Sequence, residues 1–587
     1  MDIPRPEYPR PQLRRDSWKN LNGTWTFTFD PGNSGTERGL AESKGFGEKI
    51  LVPFCPESKL SGVGYTDFIE TMWYHREASL PDSWRGKRIL IHFGGVDFSC
   101  DLFVNGRPAG SHWGGSSAFA FDITDLVNFG SGNHLVLRVR DLLRTMTQPA
   151  GKQRPEYELR ELRAHYTRTT GIWSTVWLEA VAGFAIKQLH IVPDFEAGRF
   201  ILTPTFYSWG AAVASDTRLR VSVAADAEEA LSVESSAADG IPTVLDLTDP
   251  RPWHPDDPFL YDINLAVLDG SGREIDRVES YAGLRSVRID GAKVLLNGKP
   301  LYQRLVLDQG FYPDGLWTAP SEEELRKDIE LSLQAGFNGA RLHQKVFDAQ
   351  YHYWADRLGY LTWAEAPSWG MASQKIESAR NFLAEWRAMV VSRRNHPSII
   401  AWTPLNETRD VEPDSAQHHR FHEDLYDLTK SLDPTRPVND VSGYVHVKTD
   451  LWTSHSYQQD PAKLARSLEQ GSGGEVFRNF PHWEAPYRGQ PYLVDEFGGI
   501  LWVPQERRNP AAKGVWGYGE GPKSIEEYYA RLEGLVDAIL AQDYICGYCY
   551  TQLTDVEQEQ NGIYTYDRSR KFDMERIRAI FKRQPSR

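Results

Sequence analysis

Cysteine is scarce. Cys55, Cys100, Cys546 and Cys549 are all that the 587 residues contain, too few to staple a chain of this size, so a disulfide scaffold is excluded and a reducing compartment is allowed. Long apolar runs are missing as well. No stretch reaches the roughly 18 apolar residues of a membrane-spanning helix, and the first residues, MDIPRPEYPRPQLRRDSW, are charged and proline-broken, unlike an export signal. The expectation is a cytoplasmic chain with no membrane contact. Positive charge is in deficit: Lys and Arg number 66 against 80 Asp and Glu, a formal net charge of −14. That balance disfavours a broad nucleic-acid or anionic-lipid surface and favours small or uncharged partners. Low-complexity tracts and short-period repeats are also absent.

What is present is ordinary globular material, 40% hydrophobic, 25% charged and 12% aromatic. At about 100 to 200 residues per domain, the length implies three to five domains. From Gly23 the run GTWTFTF alternates Trp25, Phe27 and Phe29 with threonines, the period of a strand buried on one face. Further runs at 87–93, 99–106, 118–124, 133–140 and 174–181 make residues 1–183 an antiparallel β-sandwich. Shorter strands over 184–288 suit an immunoglobulin-like sandwich.

Beyond this point short apolar strands alternate with helical patterns, the texture of βα repetition. Eight candidate strands lie at 300–308, 338–343, 359–367, 398–407, 436–442, 450–457, 491–499 and 545–553. Between the first two, Ser321 and Glu324 read as a capping box and Gly336 as a helix stop. Residues 289–587 are therefore expected to form a (β/α)8 barrel, with reacting groups at the carboxyl ends of its strands. Glu407 ends the fourth strand, after Asn406, and Glu496 ends the seventh, after Asp495. Two carboxylates at one barrel mouth suit retaining glycoside hydrolysis. Acidic residues at strand ends also cap helices or pair with Lys and Arg, so topology alone leaves both readings open.

The segments TMWYHREASLP, DLFVNGRPAGSHWGG, FDITDLV, TRTTGIWSTVWLE, YAGLRSVRI, NHPSIIAWTPLNE and YLVDEFGG resemble glycoside hydrolase family 2. That family holds β-galactosidases, β-glucuronidases and β-mannosidases. The resemblance spans essentially the whole chain and implies a jelly-roll sandwich, an immunoglobulin-like sandwich and a TIM barrel. It makes Glu407 the general acid/base and Glu496 the nucleophile. An acid must hold its proton near neutrality, so burial and the charge of Glu496 are expected to raise the Glu407 pKa. Arg341 and His343, ending the second strand, are expected to hold the nucleophile ionised and to bind a sugar hydroxyl. Asn406 would bind the 2-hydroxyl; His455 and Tyr457 end the sixth strand, where a family Tyr contacts the nucleophile. Asp308 is a candidate hydroxyl ligand, and Glu365 a supporting carboxylate.

Strand eight departs from much of the family. Several relatives place a Trp there, whereas YTQLTDVEQEQNG puts Gln552 near the site with Asp555 and Glu557 beyond. The Asn-x-Lys motif by which the family's glucuronidases hold a uronate is missing from the barrel's second half, where Gly562 and Ile563 follow Asn561. A terminal neutral β-galactoside is thus the leading expectation, with a β-galactofuranoside, an α-L-arabinofuranoside or a β-glucuronide as alternatives. Such hydrolysis needs no cofactor, and no clear metal-ligand set stands out. A non-enzymatic reading is a carbohydrate-binding protein with Trp113 as its platform. A homo-oligomer is left open. Cys546 and Cys549 lie in an apolar strand rather than at a helix start, against a redox pair. His418 and His422 are four apart on a helix but lack the Glu of a zinc motif. GSGG at 471–474 reads as a flexible loop that could rim the pocket.

Overall fold

The computed structural model describes residues 3–155, 164–210, 216–226, 228–408, 415–507 and 514–585. In the first sandwich, a sheet of six antiparallel strands runs from Glu48–Val52 through Gly23–Phe29, Thr71–Ala78, Asn133–Arg140 and Ser99–Val104 to Arg107–Trp113. A second sheet joins Trp18–Asn20, Val176–Val181, Arg88–Phe93 and Phe119–Asp122. The two-residue alternation works as read: Trp25 and Phe27 join Tyr74, Ile91 and Leu137 in the core between the sheets. Burying side chains of this size contributes roughly 1.5–3 kcal/mol each.

The second sandwich has seven strands. Phe184–Asp194, Arg199–Ser208 and Thr243–Asp246 form one sheet; Glu228–Ser236, Arg218–Ala225, Tyr261–Leu268 and Glu274–Ala282 form the other. Its core includes Leu202, Val221 and Leu265.

All eight strands expected after residue 289 are present in the barrel: β1 (Gln303–Asp308), β2 (Gly339–Leu342), β3 (Leu361–Glu365), β4 (Ile399–Thr403, continued by Leu405–Asn406), β5 (Val441–Ser442), β6 (Trp452–Ser456), β7 (Tyr492–Gly498) and β8 (Ile545–Thr551). Seven of them form one parallel sheet ordered β4-β3-β2-β1-β8-β7-β6. The ring closes through β5. Asn439 N donates to Trp402 O at 2.9 Å, and Asp450 N donates to Val438 O at 2.9 Å. β5 is short because Pro437 can offer only its carbonyl, which accepts from Trp402 N.

Helices α1 (Glu322–Ala335), α2 (Ala349–Leu358), α3 (Ile376–Arg393), α4 (Ser415–Leu432), α5 (Pro461–Leu468), α6 (Ile525–Leu540) and α7 (Met574–Phe581) wrap the sheet. Gly336 stops α1 in the left-handed region at φ 103°. The expected capping box does not form. Ser321 makes no side-chain cap bond, and Glu324 pairs with Lys327 at 3.2 Å instead. Among the described residues no helix is long and apolar enough to cross a membrane, and all four cysteines are buried thiols.

Polar contacts join the three units. The amino-terminal strap binds each in turn: Arg5 pairs with Asp348 of the barrel at 2.9 Å, Tyr8 donates to Glu179 of the first sandwich at 2.6 Å, and Arg15 pairs with Asp276 of the second at 2.9 Å. Arg285 donates from the second sandwich to Pro397 O and Ile399 O of the barrel, both at 3.0 Å. Residues 150 and 151 of the first sandwich dock on the loop after β3, their N–H groups donating to Trp369 O at 2.7 and 3.1 Å.

Candidate active site

Glu407 leaves β4 in the left-handed region, φ 50°, a conformation that costs a non-glycine residue about 1–2 kcal/mol. It is held there by its N–H, which donates to Ser442 O of β5 at 3.0 Å. Its Oε1 accepts from His455 Nδ1 at 2.6 Å. Glu496, on β7, faces the same imidazole: its Oε2 lies 3.4 Å from His455 Nδ1 and accepts from the Tyr457 hydroxyl at 2.5 Å. Arg341 from β2 binds its other oxygen. One ligand atom each of Glu407, His455 and Glu496 fall within 4.8 Å of one another. A cation could bridge that spacing, but the shared proton of the His455–Glu407 bond already accounts for the shortest contact.

The proton rests differently from the sequence expectation. Burial raises the Glu407 pKa, but the hydrogen bond and charge of His455, with the charges of Lys152 and Arg341, outweigh it and hold the carboxyl below its ordinary value. Burial lowers His455, but Glu496, Asp495 and Glu407 push it up to about 10. The unliganded site therefore stores its proton on the imidazole. The raised Glu407 pKa expected from burial and the charge of Glu496 is corrected by this histidine between the two carboxylates.

Arg341 is wholly buried and spans three partners: Glu365 at 2.6 Å, Asn406 Oδ1 at 3.2 Å, and Glu496. Glu365 thus sits behind the guanidinium, with its other oxygen taken by Gln344 N at 2.9 Å; burial pushes it up to about 7. Asn406 Nδ2 is a buried donor with no partner among the described residues, free for a ligand hydroxyl. His343 lies 3.2 Å from Glu365, and burial beside Arg341 keeps it neutral.

Two candidates are placed elsewhere. Asp308 accepts from Gly310 N at 2.9 Å and Tyr351 OH at 3.3 Å, in a separate buried network, and is not brought to the glutamate pair. Gln552 is fully buried with both amide ends committed, accepting from Gln309 and donating to Asn561, each at 2.8 Å. It braces the wall and leaves no amide group free. His418 and His422 both meet Thr408 Oγ1, at 3.2 and 2.9 Å, and so brace the residue after Glu407.

The sequence reading missed a wall built by the first sandwich. Tyr166 donates to Glu559 at 2.5 Å and accepts from Gln309 at 2.7 Å. Lys152 lies over the Trp369 ring at 3.8 Å, in the field of the Glu559, Glu407 and Glu496 carboxylates. Tyr518 stacks on Tyr457 at 3.3 Å. These residues come from loops of distant sequence and carry no local motif.

Three stretches match one family. Residues 18–148 match the sugar binding domain of glycosyl hydrolases family 2, 185–285 a further domain of it, and 287–498 its TIM barrel domain. The chain belongs to glycoside hydrolase family 2. It is a glycosidase, and its substrate is a carbohydrate. A β-glucuronidase of Paenibacillus borealis is 24% identical over 532 residues, covering 84% of each chain. One of Sus scrofa is 25% identical, covering 96% of this hydrolase and 90% of its own length. A β-galactosidase of Thermoanaerobacter pseudethanolicus is 26% identical over 385 residues, 64% of this hydrolase and 49% of the relative. The fold matches the β-glucuronidase of Ruminococcus gnavus in complex with uronic isofagomine, with a TM-score of 0.81, 18% identity and full coverage of both chains.

Proposed function

We propose that this hydrolase is a retaining, exo-acting β-glycosidase in which Glu496 is the nucleophile and Glu407 the acid/base. The observation that carries it is the pair of carboxylates with oxygens within 4.8 Å of each other. That is the short separation of double displacement; inversion needs about 6.5–9.5 Å to admit a water. Arg341 and Tyr457 bind both oxygens of Glu496 and keep it ionised for attack on the anomeric carbon. Glu407 passes the proton it shares with His455 to the leaving oxygen. Glycosylation removes the Glu496 charge, which does most to hold the proton on His455. Glu407 then takes the proton of the water that releases the sugar. Asn406 offers its free amide donor to a sugar hydroxyl.

The sugar we assign is a β-glucuronide, in place of the β-galactoside expected from the missing Asn-x-Lys. Relatives named β-glucuronidase are similar over most of both chains, whereas this chain spans about half of the β-galactosidase it resembles. A neutral galactoside is the second reading, favoured by the carboxylate of Glu559 in the wall. Glu496→Gln should lower kcat/KM by at least about 10⁴-fold. Glu407→Gln should cost about 10²–10⁴-fold on an alkyl glycoside, far less on an activated aryl glycoside, and azide should restore turnover. Near-normal rates in either variant would overturn the roles. Wild-type kcat/KM on 4-nitrophenyl β-glucuronide should exceed that on the β-galactoside by at least about tenfold, one charged contact. The reverse order would establish the second reading.

A further inference from the structure

We propose that Lys152, delivered into the barrel mouth by the first sandwich, binds the carboxylate of the substrate's uronic acid and so sets the preference for uronides over neutral sugars. The inference rests on the glucuronide reading of the site.

The loop carrying Lys152 is fixed at both ends. Gly151 has φ 61° and lies so close to the barrel that a Cβ would come within 2.5 Å of Gln344 O and 2.9 Å of Pro367, so only glycine permits this approach. On the sandwich side, Lys152 O accepts from Tyr166 N at 2.7 Å, and Gln153 donates to Asp97 at 2.7 Å. The residue is 6% exposed. It crosses the face of Trp369, whose indole N–H donates to Asn406 O at 3.2 Å, one residue before Glu407. The ammonium therefore stands one ring away from the acid/base segment.

No hydrogen bond or ion pair holds this ammonium among the described residues; it rests on the indole face of Trp369 at 3.8 Å. An ammonium carries three donors, and burying it without acceptors is costly. Burial accordingly lowers its pKa against the pull of Glu559, Glu407 and Glu496. The other buried cations near the barrel mouth are committed. Arg341 is taken by Glu365 and Glu496, Lys345 by the carbonyls of Gly310 and Trp317 at 2.5 and 2.7 Å, and Lys571 by Asp555 at 2.8 Å. A cation kept dry, positioned by a glycine and lacking an acceptor fits a ligand that brings its own anion. The barrel's second half lacks the family's Asn-x-Lys, and Lys152 supplies a cation from the first sandwich, beside Glu559 of the segment after β8.

The test compares two inhibitors that differ in a carboxylate, uronic isofagomine and isofagomine, on wild type, Lys152→Met and Lys152→Arg. Lys152→Met should raise Ki for uronic isofagomine by about 10- to 100-fold more than Ki for isofagomine, the range of a charged hydrogen bond. Lys152→Arg should fall between. The thermal midpoint of Lys152→Met should hold or rise, because a buried ammonium without partners is being replaced by an apolar chain. Equal weakening of both inhibitors, or no change in either, would overturn the assignment. A wild type that hydrolyses galactosides best would refute the glucuronide reading on its own, and the inhibitor ratio would still decide the role of Lys152.

Discussion

His455 governs where the proton of the site rests, because it stands between two carboxylates that each favour its charged form. In wild type the proton leaves this group only near pH 10, so kcat/KM on an alkyl glycoside should persist well into alkaline pH. In His455→Phe the proton must be held by Glu407 alone, beside the positive charges of Lys152 and Arg341, and the alkaline limb should move to lower pH. An alkaline limb that stays in place would show that His455 does not share the catalytic proton. The linkage sign follows from the raised pKa. The stabilisation is fully present below the ordinary value of 6.5 and is lost as pH rises toward 10. The thermal midpoint should therefore fall across that window, with a smaller slope in His455→Phe. At this scale, Arg341, Asn406, His455 and Tyr457 were legible because each lies at a barrel strand end and the family resemblance pointed there as well; strand-end position alone misplaced Asp308, which ends β1 in a separate network. Lys152, Tyr166 and Glu559 were not legible, since nothing local in GKQ, HYT or EQN says that these segments meet.

The exit of β4 is braced from behind by α4 and the segment after β5. Thr408 Oγ1 meets His418 and His422, and Asp440 lies 3.3 Å from His422 Nδ1 and 2.7 Å from His446 Nδ1. Thr408→Val would strip both α4 imidazoles of a buried partner. The expected loss is about 1–3 kcal/mol for each group left unsatisfied, read by urea unfolding. With Glu407 less firmly held in its left-handed turn, kcat should drop while KM changes little. A variant with wild-type stability and kcat would remove this brace from the account. The same elements show what periodicity resolves. Apolar runs punctuated by Gly, Pro and Asn marked all eight barrel strands. They did not show that β5 shrinks to two residues, because Pro437 and the side chains of Asn439 and Asp440 break its regularity. Nor did the Ser321–Glu324 spacing foretell that Glu324 would turn to Lys327, since a capping box competes with any lysine one turn away.

At the scale of the whole molecule, the barrel supplies the two glutamates while the first sandwich closes the wall around them, so catalysis depends on how firmly the units are joined. Arg15 is the test of that joint. It is 4% exposed, pairs with Asp276 of the second sandwich at 2.9 Å and lies 3.6 Å from Glu179 of the first. Glu179 is also held by Tyr8 at 2.6 Å and Trp177 at 2.9 Å, with His92 at 3.5 Å and Arg10 at 3.9 Å, and Asp276 also accepts from Ile186 N at 2.8 Å. Arg15→Ala would therefore leave the buried Asp276 carboxylate without its cation, while Glu179 keeps Arg10 and His92, a loss of about 3–5 kcal/mol for the one broken buried pair. The penalty falls between the sandwiches, away from the glutamates, so the two kinds of damage can be separated. Calorimetry should show a lowered first transition or a split one, and activity should disappear on heating before the barrel's helical signal does. At low temperature, kcat should stay near wild type. Unchanged unfolding in Arg15→Ala would mean that the strap merely lies against the sandwiches, and the joint would have to be sought in Arg285 and the loop at Gly151.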